Sequence, residues 1–280
     1  VIPAACSYVR AESADDAIAL LAEYGDDAKL LAGGHSLLPL MKLRLATPSV
    51  LVDVGRLADL AGVRDGGDHL VIGGLTRHQQ VVSDPLVRAA TPLLAAAAAQ
   101  VGDPQVRHRG TLGGSLAHGD PASDLPAVVL ALRGTVVARG PHGLREIAAD
   151  DFFVDFLETA LAPDEIITEV RVPKAVEAGW AFEKFNRRAQ DWAIVGVAAV
   201  GGDRPGVALV NMASRPVRAA AVEAALMAGA GPADAAAVAA EGTDAPADLN
   251  ASAEYREHLA RVLVGRALTT VATGSRGASS

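Results

Sequence analysis

Two glycine pairs constrain this chain more than any other feature: Ala32-Gly33-Gly34-His35-Ser36, and Gly110-Thr111-Leu112-Gly113-Gly114-Ser115. The first closes the apolar run Lys29-Leu30-Leu31-Ala32, which predicts a strand. A short helix is expected over 37–45, with Pro39 in its first turn, and a second strand over 50–54. Consecutive glycines after a strand let the backbone take positive φ and approach a ligand closely. Amides converging ahead of a helix suit a pyrophosphate, and Ser36 adds a hydroxyl donor. Taken alone, this loop is better read as an ordinary strand-to-helix turn, and it is not the GxGxxG of a Rossmann site. The second loop repeats the chemistry far along the chain. Together the two point to a ligand with two phosphates held between subdomains.

The remaining punctuation organises the chain around these loops. Ser13 with Asp16 predicts a capped helix that ends at Gly25. Asp65-Gly66-Gly67-Asp68 is a turn into a strand over 69–72, after which Thr76 is expected to cap a helix through Val82. Thr91-Pro92 opens an alanine-rich helix ending at Gly102. Residues 103–120 read as irregular, 124–132 as helix, and 135–138 and 165–172 as strands. Pro173-Lys174 to Gly179 is the expected domain boundary. Beyond it, strands are expected over 180–185, 194–200 and 207–213, and helices over 217–227, 233–240 and from 255 to about 270. The tail, 273–280, is expected to be disordered.

Bulk properties exclude several functions. A net charge of −8 argues against nucleic acid as the main partner. The single cysteine, Cys6, allows no internal disulfide and cannot supply an iron–sulfur cluster. No apolar run approaches the ~18 residues of a membrane span, and Val1-Ile2-Pro3 does not begin a signal peptide, so a cytoplasmic location is expected.

Few side chains suggest catalysis. Asp124 either accepts from a sugar hydroxyl of the ligand or caps the helix that follows; spacing leaves both open. His118, Asp120 and Asp124 lack the spacing of a zinc or calcium site, so no metal is expected. His35, His78 and His108 have no paired nucleophile, which leaves a hydrolytic triad unsupported. Lys184, in the charged run Glu183, Lys184, Arg187, Arg188, belongs either to a solvated strand end or to a group reaching a phosphate.

Four segments, in order, resemble the FAD-binding medium subunit of molybdenum hydroxylases, the family that includes carbon monoxide dehydrogenase and the flavin domain of xanthine dehydrogenase. They are AGGHSLLPLMKLRL (32–45), DPQVRHRGTLGGSLAHGDPASDL (103–125), TALAPDEIITEVRVP (159–173) and FEKFNRRAQDW (182–192). The resemblance implies an α+β fold. Its FAD-binding region, of the vanillyl-alcohol-oxidase type, would span 1–173 in two subdomains, about 1–55 and 56–173. A C-terminal α+β domain of the carbon monoxide dehydrogenase flavoprotein type would span 174–280. Carried over by position, Ala32, Gly33, Gly34, His35, Ser36 and Leu37, with Thr111, Leu112, Gly113, Gly114 and Ser115, would hold the pyrophosphate mainly through backbone amides. Asp124 would bind the sugar-like part, and Leu161 and Lys184 would lie near the flavin or its phosphates. Trp192 stands where an aromatic, in many relatives tyrosine, covers the isoalloxazine.

The resemblance also implies partners: a large molybdenum–pterin subunit that oxidises substrate, and a small subunit with two iron–sulfur clusters. The complex would be a dimer of heterotrimers that passes electrons through FAD to an external acceptor, with carbon monoxide as the first expected substrate. The lone cysteine fits this division, since the clusters then sit on another chain. A self-sufficient flavin oxidoreductase and a non-catalytic nucleotide-binding module are the competing readings.

Overall fold

The computed structural model describes residues 2–274 and 276–278. Its α+β architecture is built on three main sheets. The first is parallel, with Val50–Asp53 between Ser7–Arg10 and Ala28–Leu31. The helix Ala14–Tyr24 connects its outer strands and turns Ala14, Ala17, Ile18 and Leu21 inward. Ser13 caps it as expected, its Oγ accepting from Asp16 N at 3.0 Å. The Asp16 carboxylate accepts from Glu12 N at 2.8 Å.

The second sheet is antiparallel, in the order Val63–Asp65, His69–Gly73, Ile166–Pro173, Thr135–Gly140, Gly143–Ala148. The third runs Val217–Arg218, Gly206–Val210, Val195–Val200, Trp180–Phe185, Arg276–Ala278. The long helix Ala253–Ala272 packs on one face of this third sheet through Leu259, Leu263, Val264 and Leu268. Among the described residues, no helix is long and apolar enough to cross a membrane.

The helix Asp124–Ala131 joins the second and third sheets. Its sequence, DLPAVVLA, has no polar face, and a helix apolar all round must be buried on every side. All eight of its residues are buried, packed with Val136 and Val170 of the second sheet and Ala198 and Ala208 of the third. The packing is close enough that a Cβ at Gly206 would lie 1.9 Å from the Ala131 carbonyl oxygen. The buried helix thereby fixes where its first residue, Asp124, sits.

Several expectations are corrected. Thr76 caps no helix: it is buried, its Oγ1 accepts from Gly62 N at 2.9 Å, and the helix starts later, as His78–Ser83. Residues 103–120 are not irregular but hold the helices Pro104–Arg107 and Leu112–His118. The second glycine pair is therefore the first turn of a helix rather than a loop. The cap ahead of Asp124 is Ser123, so Asp124 is the first helical residue. Val217–Arg218 is a short strand, and the helix there is Ala220–Met227. In the tail, Arg276–Ala278 pairs in parallel with the strand Trp180–Phe185, while Ser275, Ser279 and Ser280 lie outside the described residues.

Candidate functional site

One cavity of about 770 Å³ lies where the three sheets meet. Residues 28–37, in and after the edge strand of the first sheet, line it, with most of 110–118 and of 157–167 from the second region and Lys184, Gln190, Asp191 and Trp192 from the third. Every residue carried over to the flavin site by resemblance lines this cavity except Leu112, whose side chain is fully buried in the core, while His108 and Asp120 do not line it. Its volume lies within the usual range for ligand and cofactor sites, about 300–1,000 Å³.

The two glycine segments approach each other at one end. Gly33 packs against the residues preceding the second segment: a Cβ there would lie 2.3 Å from the Arg109 carbonyl oxygen. Gly34 has φ +78°, a left-handed conformation that favours glycine. Among the described residues, the amides of Gly33 through Leu37 donate to no protein acceptor. A run of free amides about a left-handed residue forms an anion-binding concavity.

The second segment presents a different surface. Leu112 N donates to Thr76 O at 3.0 Å, Gly113 N to Gly74 O at 2.8 Å, and Ser115 N to Thr111 O at 3.0 Å. Gly114 N donates to Thr111 Oγ1 at 3.1 Å, which makes Thr111 the helix cap. These amides are committed to the protein's own backbone and cap, in contrast to the amide donors expected here. What remains for a ligand is the wall itself and the Ser115 hydroxyl.

At the C-terminal domain's side of the cavity, Lys184 Nζ donates to Asp124 Oδ2 at 2.7 Å and to Gln100 O at 3.2 Å. Both side chains of the pair are 5% exposed. Burial pushes the Asp124 carboxyl up to about 6, against the opposing pull of the Lys184 ammonium. Asp124 Oδ1 is buried without a partner. A carboxylate oxygen left unpaired costs about 1–3 kcal/mol or more, which a ligand hydroxyl donating to it would relieve. Trp192 is 58% exposed at the mouth of the cavity. The segment that carries it is anchored by Arg256, which is fully buried and donates to Ile194 O and, at 2.8 Å, to Asp248 Oδ2.

Sequence reasoning missed the stretch Gly73-Gly74-Leu75-Thr76-Arg77-His78, of which Gly74, Leu75 and His78 line the cavity. A signal was available, since Gly73-Gly74, like Gly33-Gly34, is a glycine pair at the end of a strand. His78 is buried beside Gly110, with Nδ1 unpartnered. Burial, reinforced by His35, Arg77 and Arg107, lowers its imidazole to about 4.

These features fit FAD as a group. The free amides suit a diphosphate, the orphaned Asp124 oxygen suits a sugar-like hydroxyl, and the exposed indole suits a flat ring.

Residues 4–175 match the family described as the FAD binding domain in molybdopterin dehydrogenase. Residues 180–271 match the carbon monoxide dehydrogenase flavoprotein C-terminal domain. The chain is 42% identical to the carbon monoxide dehydrogenase medium chain of Hydrogenophaga pseudoflava, covering 96% of this chain and 97% of that one. It is 38% identical to the 6-hydroxypseudooxynicotine dehydrogenase complex subunit alpha of Paenarthrobacter nicotinovorans, over 95% and 94% of the two chains. Carbon monoxide dehydrogenase from Hydrogenophaga pseudoflava contains a chain that superposes with a TM-score of 0.94 at 43% identity, covering 98% of this chain and all of that one.

Proposed function

The chain belongs to the family of FAD-binding subunits of molybdenum hydroxylases, with a carbon monoxide dehydrogenase type of C-terminal domain, and from that premise we propose how it holds its flavin and with what it assembles. It is a flavoprotein subunit of an oxidoreductase, and its cofactor is FAD. The chemistry FAD supplies when bound is electron storage between iron–sulfur clusters on a partner chain and an external acceptor.

The chain's own residues bind and orient the cofactor. The free amides of Gly33 to Leu37 hold the diphosphate, with the Ser36 hydroxyl beside them. The second segment, Thr111 to Ser115, closes the cleft from the opposite side. Asp124 accepts from a hydroxyl of the ribityl or ribose part, and Lys184 holds that carboxylate in place. Leu161 and Trp192 flank the ring, Trp192 covering its exposed side. Residues 1–173 serve as the FAD-binding region, and 174–280 close it. The single observation that carries this reading is the meeting of a free amide run and a buried, half-paired carboxylate in one cavity.

The partners are a large molybdenum–pterin subunit and a small iron–sulfur subunit, in a dimer of heterotrimers. Of the two relatives above, the carbon monoxide dehydrogenase chain is the more similar, which supports carbon monoxide as the substrate of the complex. Two measurements test the proposal. The purified chain should show flavin absorption bands, or gain them when FAD is added; a colourless chain that takes up no FAD refutes the site. Tagged chain drawn from its native host should bring iron- and molybdenum-containing partners, and recovery as a lone active monomer refutes the assembly.

A further inference from the structure

We propose that Arg77 is the positioning residue that sets the spacing between the two glycine segments, and through it the affinity of the cleft for the diphosphate of FAD. This rests on the FAD reading above. Arg77 lies just before the helix His78–Ser83 and does not itself line the cavity. Its guanidinium donates to the Arg109 carbonyl and, at 3.4 Å, to the Gly55 carbonyl. Gly55 follows the central strand of the first sheet, while Arg109 leads into the second glycine segment. One side chain therefore ties together the two bodies that the cleft divides.

The Arg109 carbonyl is also the atom against which Gly33 packs. Arg77 thus holds the second segment at the point where the first one touches it. The backbone works with it, as His78 N donates to Gly110 O and Leu112 N to Thr76 O, which pairs the residues around Arg77 with those around Thr111. Among the described residues no backbone hydrogen bond pairs the second segment's body with Gly55, so the contact at that point is made by the Arg77 side chain.

The guanidinium occupies an unfavourable place. Burial lowers its proton affinity, the neighbouring Arg109 lowers it further, and Asp53 only partly compensates. A cation tolerated beside another cation must be held by its acceptors. The side chain is not needed for the helix cap, because the Arg77 backbone N–H already donates to Gln80 Oε1 at 2.8 Å.

The test uses the full chain, stripped of flavin and titrated with FAD, in wild-type, Arg77→Met and Arg77→Lys forms. Arg77→Met should bind FAD about tenfold more weakly, the scale of one charge-assisted hydrogen bond. ADP, which carries the diphosphate without the flavin, should lose competing power by a similar factor. At saturating FAD the visible bands should match wild type, because the Lys184 end of the cavity is untouched. Arg77→Lys, which can reach one carbonyl, should recover part of the affinity. FAD binding by Arg77→Met within twofold of wild type overturns the inference and leaves the FAD reading standing. So does a loss of FAD binding in which the visible bands shift, the melting temperature falls in step and Arg77→Lys recovers nothing, since that marks a merely structural residue. A wild-type chain that binds no FAD would overturn both.

Discussion

From Gly33 to Leu37 the backbone amides have no protein acceptor, whereas from Leu112 to Ser115 each one has its partner. Both segments carry Gly-Gly and both border the cavity, the first preceding a helix and the second forming the first turn of one. The difference lies in what stands behind them. The second segment runs alongside Gly74 to His78 and spends its donors on that neighbour and on its own cap. The first follows the edge strand Ala28–Leu31, with no such neighbour for its amides. A glycine pair can thus serve a ligand by leaving amides free, or serve the fold by letting two backbones touch.

The sharpest way to break this contrast is Gly33→Ala. Its Cβ would lie 2.3 Å from a backbone oxygen that cannot swing aside, so the two segments must separate. We expect loss of FAD retention and destabilisation of at least about 3 kcal/mol, the upper part of the overpacking range. At Gly114 the added Cβ meets only the Thr111 hydroxyl, at 2.6 Å. Gly114→Ala should therefore keep most of its flavin. Flavin content and thermal melting of the two variants decide the matter, and equal losses would erase the distinction.

Gly34→Ala is expected to act less severely. The φ of +78° costs a residue with a Cβ about 1–2 kcal/mol, while the nearest obstacle, Leu38 Cδ1 at 2.9 Å, belongs to a side chain that can rotate. Because the same residue shapes the free amide run, FAD affinity should fall by more than melting temperature alone would suggest. A variant with unchanged FAD affinity would show that the run is not the diphosphate site.

Thr111→Ala tests the other side. Removing the cap that accepts from Gly114 N should cost about 1 kcal/mol, or a melting shift of roughly 2–4 °C. It also frees one amide, so FAD affinity should hold or rise slightly. A large drop in affinity with little change in melting would mean that the second segment contacts the ligand more directly than its hydrogen bonds suggest.

How much of this was legible in the sequence follows the range of each interaction. The strands and the Ser13 cap were readable because period, β-branched runs and capping chemistry are local. The helix Leu112–His118 was not, because its LGGSLAH sequence resembles a loop and is held by Thr111 and by the distant carbonyls of Gly74 and Thr76. Thr76 looked like a cap because threonine before a polar turn usually is one, but its hydroxyl is satisfied by Gly62, on an adjoining strand connection. The residues lining the cavity were found through resemblance far more than through spacing. Arg77 escaped notice because its significance depends on two carbonyls, at Gly55 and Arg109, that no local pattern connects.

The smallest effect concerns pH, and it again separates what backs the two segments. His78 lies against Gly110 of the second segment and is lowered by burial to about 4, from an ordinary 6.5. Between those values the unfolded chain binds the proton and the folded one does not, so stability present above 6.5 is lost as pH falls towards 4. Asp124 works in the opposite direction. With its carboxyl raised to about 6, the folded chain takes up a proton before the unfolded one, which favours the fold as pH falls from 6 towards the ordinary carboxylate value. The flavin-free chain should therefore show a muted acid slope, the difference of two opposing protonations. His78→Gln should remove the acid loss, so that the melting temperature holds or rises as pH falls from 6 to 4, and Asp124→Asn should leave a steeper loss. Melting curves for the three proteins across that interval give the slopes directly. If His78→Gln leaves the slope unchanged, the imidazole behind the second segment takes up its proton as readily in the folded chain as in the unfolded one, and below pH 6 that segment would then carry positive charge of its own towards the diphosphate.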